Sequence, residues 1–415
     1  MPADAAPLAA EIRRRLGPAP RDPDAPLVSM VVLNRDGAHL LRRLLRGLVE
    51  RTDYPRFELI LIDNGSGDDS LDFIRRVEAP FPISIVANPH NESFSDACNQ
   101  GAELAQGELL LFLNNDVEPF EPGWLSELVG CLRSSGAGAV AATLVCLEEE
   151  HERSFAFGYG VQHRGLDFRE EGGMIHPALR GWEADPLDER FGEDEEPPAV
   201  AAACMLVERA AYERVIGFTH GYVYGAEDID LCLKLRAVGL RVLCSGRAVA
   251  IHHPVSTRRT APFEQERARK LANRLVLWQR WGPRLRREYE LGRSGSDGAW
   301  PPGFCIKAAD PAATSEPEAV CAALERRGRR CVLLAGDRSE GPLGLNYDVA
   351  VHVRGRLRYV PKHAQLNVLW DLGPPGGVPE IERSRYDLVL TGSASPELFA
   401  ERLLSAVDGR GLSTQ

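Results

Sequence analysis

Along residues 27–145, short apolar runs alternate with amphipathic stretches, the pattern that builds a parallel sheet with helices packed on it. Strands are expected at Val28–Leu33, Phe57–Ile62, Ile83–Ala87, Glu108–Leu113 and Ala139–Leu144. Between them, Leu40–Arg51, Ser70–Val77, Asp96–Ala105 and Trp124–Ser134 carry helical apolar faces. Residues 148–198 break the alternation with Gly, Pro and acid and read as a long excursion over one face. Regular structure resumes with a strand at Val200–Val207, helices at Ala210–Val215 and Ile229–Val238, and strands at Arg241–Cys244 and Ala248–Ile251.

An arginine-rich helix follows, and residues 292–303 have the Gly/Ser/Pro composition of a linker. Beyond it a second α/β pattern starts. Strands are expected at Phe304–Ala308, Cys331–Leu334, Val349–Val353, Asn367–Trp370 and Leu388–Thr391, with helices at Glu316–Arg327 and Pro396–Val407. The expected organisation is a tail with a short helix over 1–26, an α/β domain over 27–291, the linker, and a smaller Rossmann-like α/β domain over 304–415.

The polar residues that end these runs carry the chemistry. Leu109–Leu113 is dry and runs straight into Asn114-Asn115-Asp116. In open α/β sheets the carboxyl ends of the strands face the ligand, and a carboxylate fixed there suits a hard cation set against a phosphate. A strand that simply stops in a polar turn is the other reading of this junction. Val28–Leu33 and Phe57–Ile62 end likewise on Asn34-Arg35-Asp36 and Asp63-Asn64-Gly65-Ser66. Asp63 and Asn64 are suited to hydrogen-bond a base or ribose. Neither segment carries GxGxxG or a Walker loop, which speaks against a dinucleotide or P-loop site and leaves phosphates in need of a metal. Further on, Gly225-Ala226-Glu227-Asp228 introduces a helix, where Asp228 as a cap and Asp230 in the first turn are also what a helix N-terminus favours by itself. His252, with His253 beside it, follows a strand, as a structural histidine or a divalent-metal ligand does.

Composition narrows the class. The chain has 415 residues, 44% hydrophobic and 26% charged, as in a soluble globular protein. Its nine cysteines are an odd number without CxxC pairs and lie mostly in apolar stretches, so buried thiols are expected, not a disulfide framework or zinc site. No signal peptide or membrane-length apolar run is visible, and a cytoplasmic protein is expected. The net charge of −11 is uneven: residues 148–196 hold fifteen Asp/Glu against five Arg, while 258–293 hold eleven Arg/Lys against four Glu. The acidic total disfavours nucleic acid as a partner. The basic stretch reads either as a solvated helix face around a Leu271, Leu275 and Trp278 stripe, or as a surface docking to the inner face of an anionic membrane or a lipid-diphosphate acceptor.

Taken in order, Val28–Asp36, Ile62-Asp63-Asn64-Gly65-Ser66, Asn91 to Gly101, Asn114-Asn115-Asp116, Glu227-Asp228-Ile229-Asp230-Leu231 and His252 resemble the family 2 inverting glycosyltransferases of GT-A fold, with the closest look to the bacterial rhamnosyltransferase and galactofuranosyltransferase-like branch. The resemblance covers roughly residues 27–282. It implies a mainly parallel sheet flanked by helices and a nucleotide-sugar donor site that includes Asn34, Asp63, Asn64, Asn91, Asn99, Asn114 and Asn115. It implies that Asp116 and His252 hold Mg²⁺ or Mn²⁺, that Asp228 is the general base, and that Glu227 is its neighbour in the acceptor site. Asn114 departs from the aspartate that opens the family's DxD triplet, and Leu33 and Arg35 depart from its commoner Thr and Tyr. The implied partners are a UDP- or dTDP-sugar, dTDP-rhamnose among them, and a saccharide, lipid-linked or other glycoconjugate acceptor in polysaccharide biosynthesis.

The chemistry agrees with those roles: one base and one metal suit a single displacement with inversion, whereas retention wants a second carboxylate at the anomeric carbon. The rivals are a nucleotidyltransferase, which wants a glycine-rich basic loop that Asn34-Arg35-Asp36-Gly37 does not supply, and a non-catalytic nucleotide-sugar-binding protein, which would be free to lose Asp116, Asp228 or His252. Residues 304–408 resemble the amino-terminal half of a GT-B glycosyltransferase of the spore-coat-maturation type, through Leu366–Asp371 and Arg385–Leu390. Such enzymes hold the donor chiefly with their other half, for which the chain to Gln415 leaves no room. An accessory, acceptor-holding or homodimerising module is therefore expected there.

Overall fold

The computed structural model describes residues 6–19, 24–147, 154–155, 157–182, 184–188, 190–223, 225–253, 263–294, 301–310, 315–336, 342–355, 361, 365–373, 376–392 and 395–408. After helix α1 (Ala6–Leu16), the apolar runs and amphipathic stretches become β1 (Val28–Asn34), α2 (Ala38–Glu50), β2 (Phe57–Asn64), α3 (Ser70–Ile74), β3 (Ile83–Asn88), α4 (Phe94–Leu104) and β4 (Leu109–Asn114). Then come β5 (Val117–Pro119), α5 (Trp124–Ser135), β6 (Ala139–Leu147), β7 (Tyr159–His163), β8 (Leu166–Glu171), β9 (Met174–Leu179), β10 (Cys204–Glu208), α6 (Arg209–Arg214), α7 (Glu227–Ala237), β11 (Val242–His252) and α8 (Phe263–Ser294). The remainder is β12 (Phe304–Ala308), α9 (Ser315–Arg326), β13 (Cys331–Ala335), β14 (Val349–Val353), β15 (Leu366–Asp371), α10 (Glu380–Arg383), β16 (Leu388–Thr391) and α11 (Pro396–Asp408).

The chain divides into two compact units, residues 1–167 with 177–273, and residues 168–176 with 274–415. In the first, the sheet order is β3-β2-β1-β4-β10-β6-β11-β5, with β7 added on β6. Strands β3 to β4 are parallel, so the carboxyl ends of β1, β2 and β4 meet at one edge. The central strands are dry because helices cover both faces. On one face Leu41, Leu44 and Leu48 of α2 and Trp124, Leu125 and Leu128 of α5 pack into one core with Val28, Met30 and Leu111. On the other, α4 crosses β1 so closely that a Cβ at Gly101 would stand 2.3 Å from Val31 Cγ1.

Several expectations change, among them the strand expected at Val200–Val207, which starts only at Cys204, and the cap of α7, which is Ala226 and not Asp228. The excursion over 148–198 does more than cover one face, since it adds β7 to the sheet: all five residues of β7 are buried, and Tyr159, Val161 and Phe191 share a core with Leu8 and Ile12 of α1. Its acidic composition hid this, because the apolar residues that bury themselves are outnumbered by surface carboxylates. The expected strands at 241–244 and 248–251 are one strand, β11, whose pairing with β6 shifts register between Ser245 and Val249. Helix α8 runs on through the first three residues of the expected linker, while 295–300 lie outside the described residues, as do 254–262 of the basic stretch. Of the Leu271, Leu275 and Trp278 stripe, Trp278 is buried while Leu271 is 52% exposed, since the buried positions of α8 run from Asn273 through Leu277 and Leu285.

The second unit holds a five-stranded, fully parallel sheet of order β13-β12-β14-β15-β16. One face packs Ile306, Val351, Val368 and Trp370 against Val320, Leu324, Phe399 and Leu403 of α9 and α11, with the Trp370 and Phe399 rings stacked at 4.0 Å. The expected fold class, an α/β chain with a mainly parallel sheet followed by a smaller α/β unit, is what the structure has.

Candidate functional site

Parallel register places Asn34 beside Asp63 and Leu33 beside Asn114, so three polar strand ends lie side by side. The side chains of Asn34 and Asp63, with Asn115 just beyond Asn114, form one hydrogen-bonded chain. Asn115 Nδ2 donates to Asn34 Oδ1 (2.9 Å), Asn34 Nδ2 donates to Asp63 Oδ1 (3.1 Å), and Asp63 Oδ2 accepts from Ser66 N (3.0 Å). Asp63 is fully buried and Asn34 and Asn115 nearly so. Gly37 makes room for them: a Cβ there would lie 2.6 Å from both Asn115 Nδ2 and Asn34 Oδ1. Polar groups this buried are held by each other, as burial without partners would be costly.

The turn after β4 carries Asp116, 4% exposed. Strand β5 pairs antiparallel with the end of β11, His252 opposite Val117, and His253 N donates to Asp116 O at 2.9 Å. That pairing sets His252 Nε2 3.4 Å from Asp116 Oδ1. The other ring nitrogen, Nδ1, is 2.6 Å from Gln162 Oε1 on β7. His253 points elsewhere, to Glu118, which also takes Arg43 (2.9 Å) and Arg51 (2.7 Å). One carboxylate oxygen and one imidazole nitrogen at this separation fit two neighbouring positions around a single Mg²⁺ or Mn²⁺. Among the described residues no cluster of three or more His, Cys, Asp or Glu could hold a metal. A pair suits a cation that keeps waters and takes phosphate oxygens for its remaining positions.

The carboxylates of α7 are presented by a strained turn. Gly225 (φ 93°) and Ala226 (φ 72°) are both left-handed, and Ala226 is the N-cap. Asp228 accepts from Ile229 N (2.8 Å) and Ala202 N (3.3 Å). Burial raises its pKa against those two donors. Burial first, and the neighbouring Asp228 charge second, push Glu227 up to about 8. Burial thus favours the protonated form of both carboxyls, Glu227 carries the further push of the Asp228 charge, and the helix N-terminus works the other way by favouring the anion. Asp230 is a structural residue, fully buried and accepting from Thr219 Oγ1 (2.6 Å) and Tyr222 OH (3.2 Å).

The turn before β10 ties these groups together. Ala203 O accepts from Asn114 N (2.9 Å), Ala202 N holds Asp228, and Ala201 N donates to His163 Nε2 (3.2 Å) on β7. His163 is fully enclosed, and burial together with the nearby His252 lowers its pKa to about 3, so it stays neutral and accepts. Gln162 and His163 were not among the residues expected in the site. Their only sequence signal is an adjacent pair of polar residues closing a short apolar run, inside a segment dominated by charge.

Three expected donor-site residues stand differently. Asn64 is buried beside Asp63, but its amide accepts from Asn88 Nδ2 (2.9 Å) and donates to Glu92 O (3.2 Å). Asn91 lies exposed in the loop before α4. Asn99 is engaged by other elements: its oxygen accepts from Tyr212 OH (2.6 Å) and Phe218 N (2.9 Å) and its nitrogen donates to Phe218 O (3.0 Å), tying α4 to the loop after α6.

Residues 28–178 match the family model described as glycosyl transferase family 2. The chain is 34% identical over 238 residues to the O-antigen biosynthesis protein RfbC of Myxococcus xanthus, covering 56% of this chain and 18% of that protein. It is 29% identical over 241 residues to the pre-mycofactocin glycosyltransferase of Mycobacterium tuberculosis, covering 56% of this chain and 44% of that one. The chain thus spans less than half the length of these curated relatives. Among solved structures it is similar to GalNAc-T7 with UDP, GalNAc and Mn²⁺, at 17% identity and a TM-score of 0.49, covering 66% of this chain and 52% of that chain.

Proposed function

We propose, from the match of residues 28–178 to the glycosyl transferase family 2 model, that this chain is a metal-dependent inverting glycosyltransferase. It would move a sugar from a UDP- or dTDP-sugar to a hydroxyl of a saccharide, lipid-linked or other glycoconjugate acceptor. The observation that carries this reading is the pairing of two half-sites. Asp116 and His252 stand 3.4 Å apart, and the turn 201–203 links the strand end at Asn114 to the carboxylate Asp228.

Asp116 and His252 would hold Mg²⁺ or Mn²⁺, whose charge, when bound, stabilises the departing diphosphate. The chain's own groups do the rest. The hydrogen-bonded Asn34–Asp63–Asn115 cradle at the strand ends would receive the nucleotide of the donor. Asp228, held by Ile229 N and Ala202 N beside Glu227, would take the proton of the acceptor hydroxyl. The acceptor oxygen then bonds the anomeric carbon on the face opposite the diphosphate, the bond from that carbon to the diphosphate oxygen breaks, and configuration inverts. The raised pKa of Asp228 makes it a stronger base than a solvated carboxylate.

Support for a surface-polysaccharide acceptor comes from the O-antigen biosynthesis role in the name of the Myxococcus relative, and dTDP-rhamnose is the donor to try first. The second unit, with its own sheet and core, is assigned an accessory role in holding acceptor or partner chain. The test is release of UDP or dTDP from a panel of nucleoside diphosphate sugars with Mn²⁺ and candidate acceptors. Release that persists unchanged in Asp116→Ala and Asp228→Asn would remove the basis of the proposal.

A further inference from the structure

Strand β7 lies in the acidic excursion, apart from the residues expected in the site, yet its side chains reach that site. Its pairing with β6 runs Leu144 opposite His163 and then Val145 opposite Val161, so Gln162 is an extra residue with no cross-strand partner. A bulge of this kind re-aims one side chain. Here the re-aimed amide, 6% exposed, crosses β6 toward the end of β11, and Oε1 stops 2.6 Å from His252 Nδ1. A carbonyl oxygen only accepts, so the imidazole proton belongs on Nδ1. The lone pair then lies on Nε2, the atom that stands 3.4 Å from Asp116 Oδ1. A histidine ligand needs that lone pair, and the hydrogen bond at its other nitrogen decides where it is.

We propose that Gln162 is a positioning residue that fixes the ring and tautomer of His252, so that Nε2 is presented beside Asp116 before any ligand binds. The inference rests on the reading of Asp116 and His252 as a cation-binding pair. Gln162 touches no reacting atom and acts through His252. The bulge is what makes this possible, because a regular β7 residue opposite β6 would point to one sheet face or the other by strict alternation.

The test separates the two claims. Long-range ¹H–¹⁵N spectra of histidine-labelled, metal-free full-length protein at pH 8 report which nitrogen of His252 carries the proton. In the wild type, Nδ1 is expected to be protonated and Nε2 bare; the opposite tautomer would overturn the inference without any variant. In Gln162→Leu, the Nε2-protonated form should appear, and Mn²⁺ affinity measured by electron paramagnetic resonance with UDP or dTDP should fall about 10- to 100-fold. Gln162→Glu, which keeps an acceptor oxygen, should retain both the Nδ1 proton and the wild-type affinity to within a few-fold. An unchanged tautomer and affinity in Gln162→Leu would also overturn it. Wild-type protein that shows the expected tautomer but binds no Mn²⁺ with either nucleotide would overturn the metal reading instead.

Discussion

His252 Nε2 stands 3.4 Å from Asp116 Oδ1 because β11 ends in an antiparallel pair with the three-residue strand β5. The two residues are distant in sequence, and the pairing of His252 with Val117 puts the imidazole one residue from the carboxylate. If this pair holds the cation, Asp116→Asn and His252→Ala should each weaken Mn²⁺ binding by at least the about 10- to 100-fold that loss of a ligand's supporting partner already causes. Isothermal titration with Mn²⁺ in the presence of UDP measures this. Chelation by EDTA should abolish sugar transfer and added Mn²⁺ should restore it.

If Asp228 is the base, Asp228→Asn should lower kcat for transfer by about 10²- to 10⁴-fold, the span of general-base catalysis. The KM for donor should change little if the donor is held by Asn34, Asp63 and Asn115, which lie on other elements. Steady-state kinetics with a true acceptor decides it; an undiminished kcat would assign the base elsewhere.

Glu227, pushed up to about 8 by burial and by Asp228, ties stability to pH. Below the unfolded value of about 4.5 both states are protonated and the full stability is present. Between there and about 8 the unfolded chain gives up its proton while the folded one keeps it, so stability falls as pH rises. The slope from this one group is at most about 1.4 kcal/mol per pH unit. Glu227→Gln should remove it, so the variant gains on the wild type between pH 5 and 8 in urea titrations, by on the order of 1–3 kcal/mol. A constant difference across that range would show that Glu227 does not hold the proton.

Gly37 has an ordinary backbone angle (φ −119°), so its role is space, not conformation. Gly37→Ala should push Asn34 and Asn115 apart and loosen the cradle. Affinity for UDP or dTDP without metal should drop several-fold, with a stability loss of about 1–3 kcal/mol from overpacking. Calorimetry on the variant checks both, and wild-type nucleotide affinity would show that the cradle does not shape the donor site.

Ala226 holds the left-handed cap of α7 (φ 72°), a conformation that costs an alanine roughly 1 kcal/mol. Ala226→Gly should therefore leave stability unchanged or raise it by up to about 1 kcal/mol, where the same change inside a helix loses about that much. Ala226→Val should destabilise and lower kcat through misplacement of Asp228. Thermal unfolding of the two variants separates these outcomes.

Local pattern was enough for most elements. Strand and helix periods at 28–145 and 304–408 reflect burial of nearby side chains, which the chain carries wherever it folds. The polar strand ends at Asn34, Asp63 and Asn114–Asp116 were legible for the same reason: a dry run that stops on three polar residues marks a sheet edge. The role of Asn99 was not legible, because an amide serves a ligand or a loop equally well by composition, and only the approach of Phe218 and Tyr212 commits it to the loop.

By itself, then, the sequence determined the α/β alternation, the second α/β unit, and which residues could bear chemistry at the sheet edge. The tertiary structure alone decided that β5 pairs with β11, that β7 bulges at Gln162, and that the turn 201–203 links Asn114 to Asp228. The physical reason is range. Burial periodicity is written into neighbouring residues. Strand pairing, register and the choice of a hydrogen-bond partner depend on segments brought together only when the whole sheet closes.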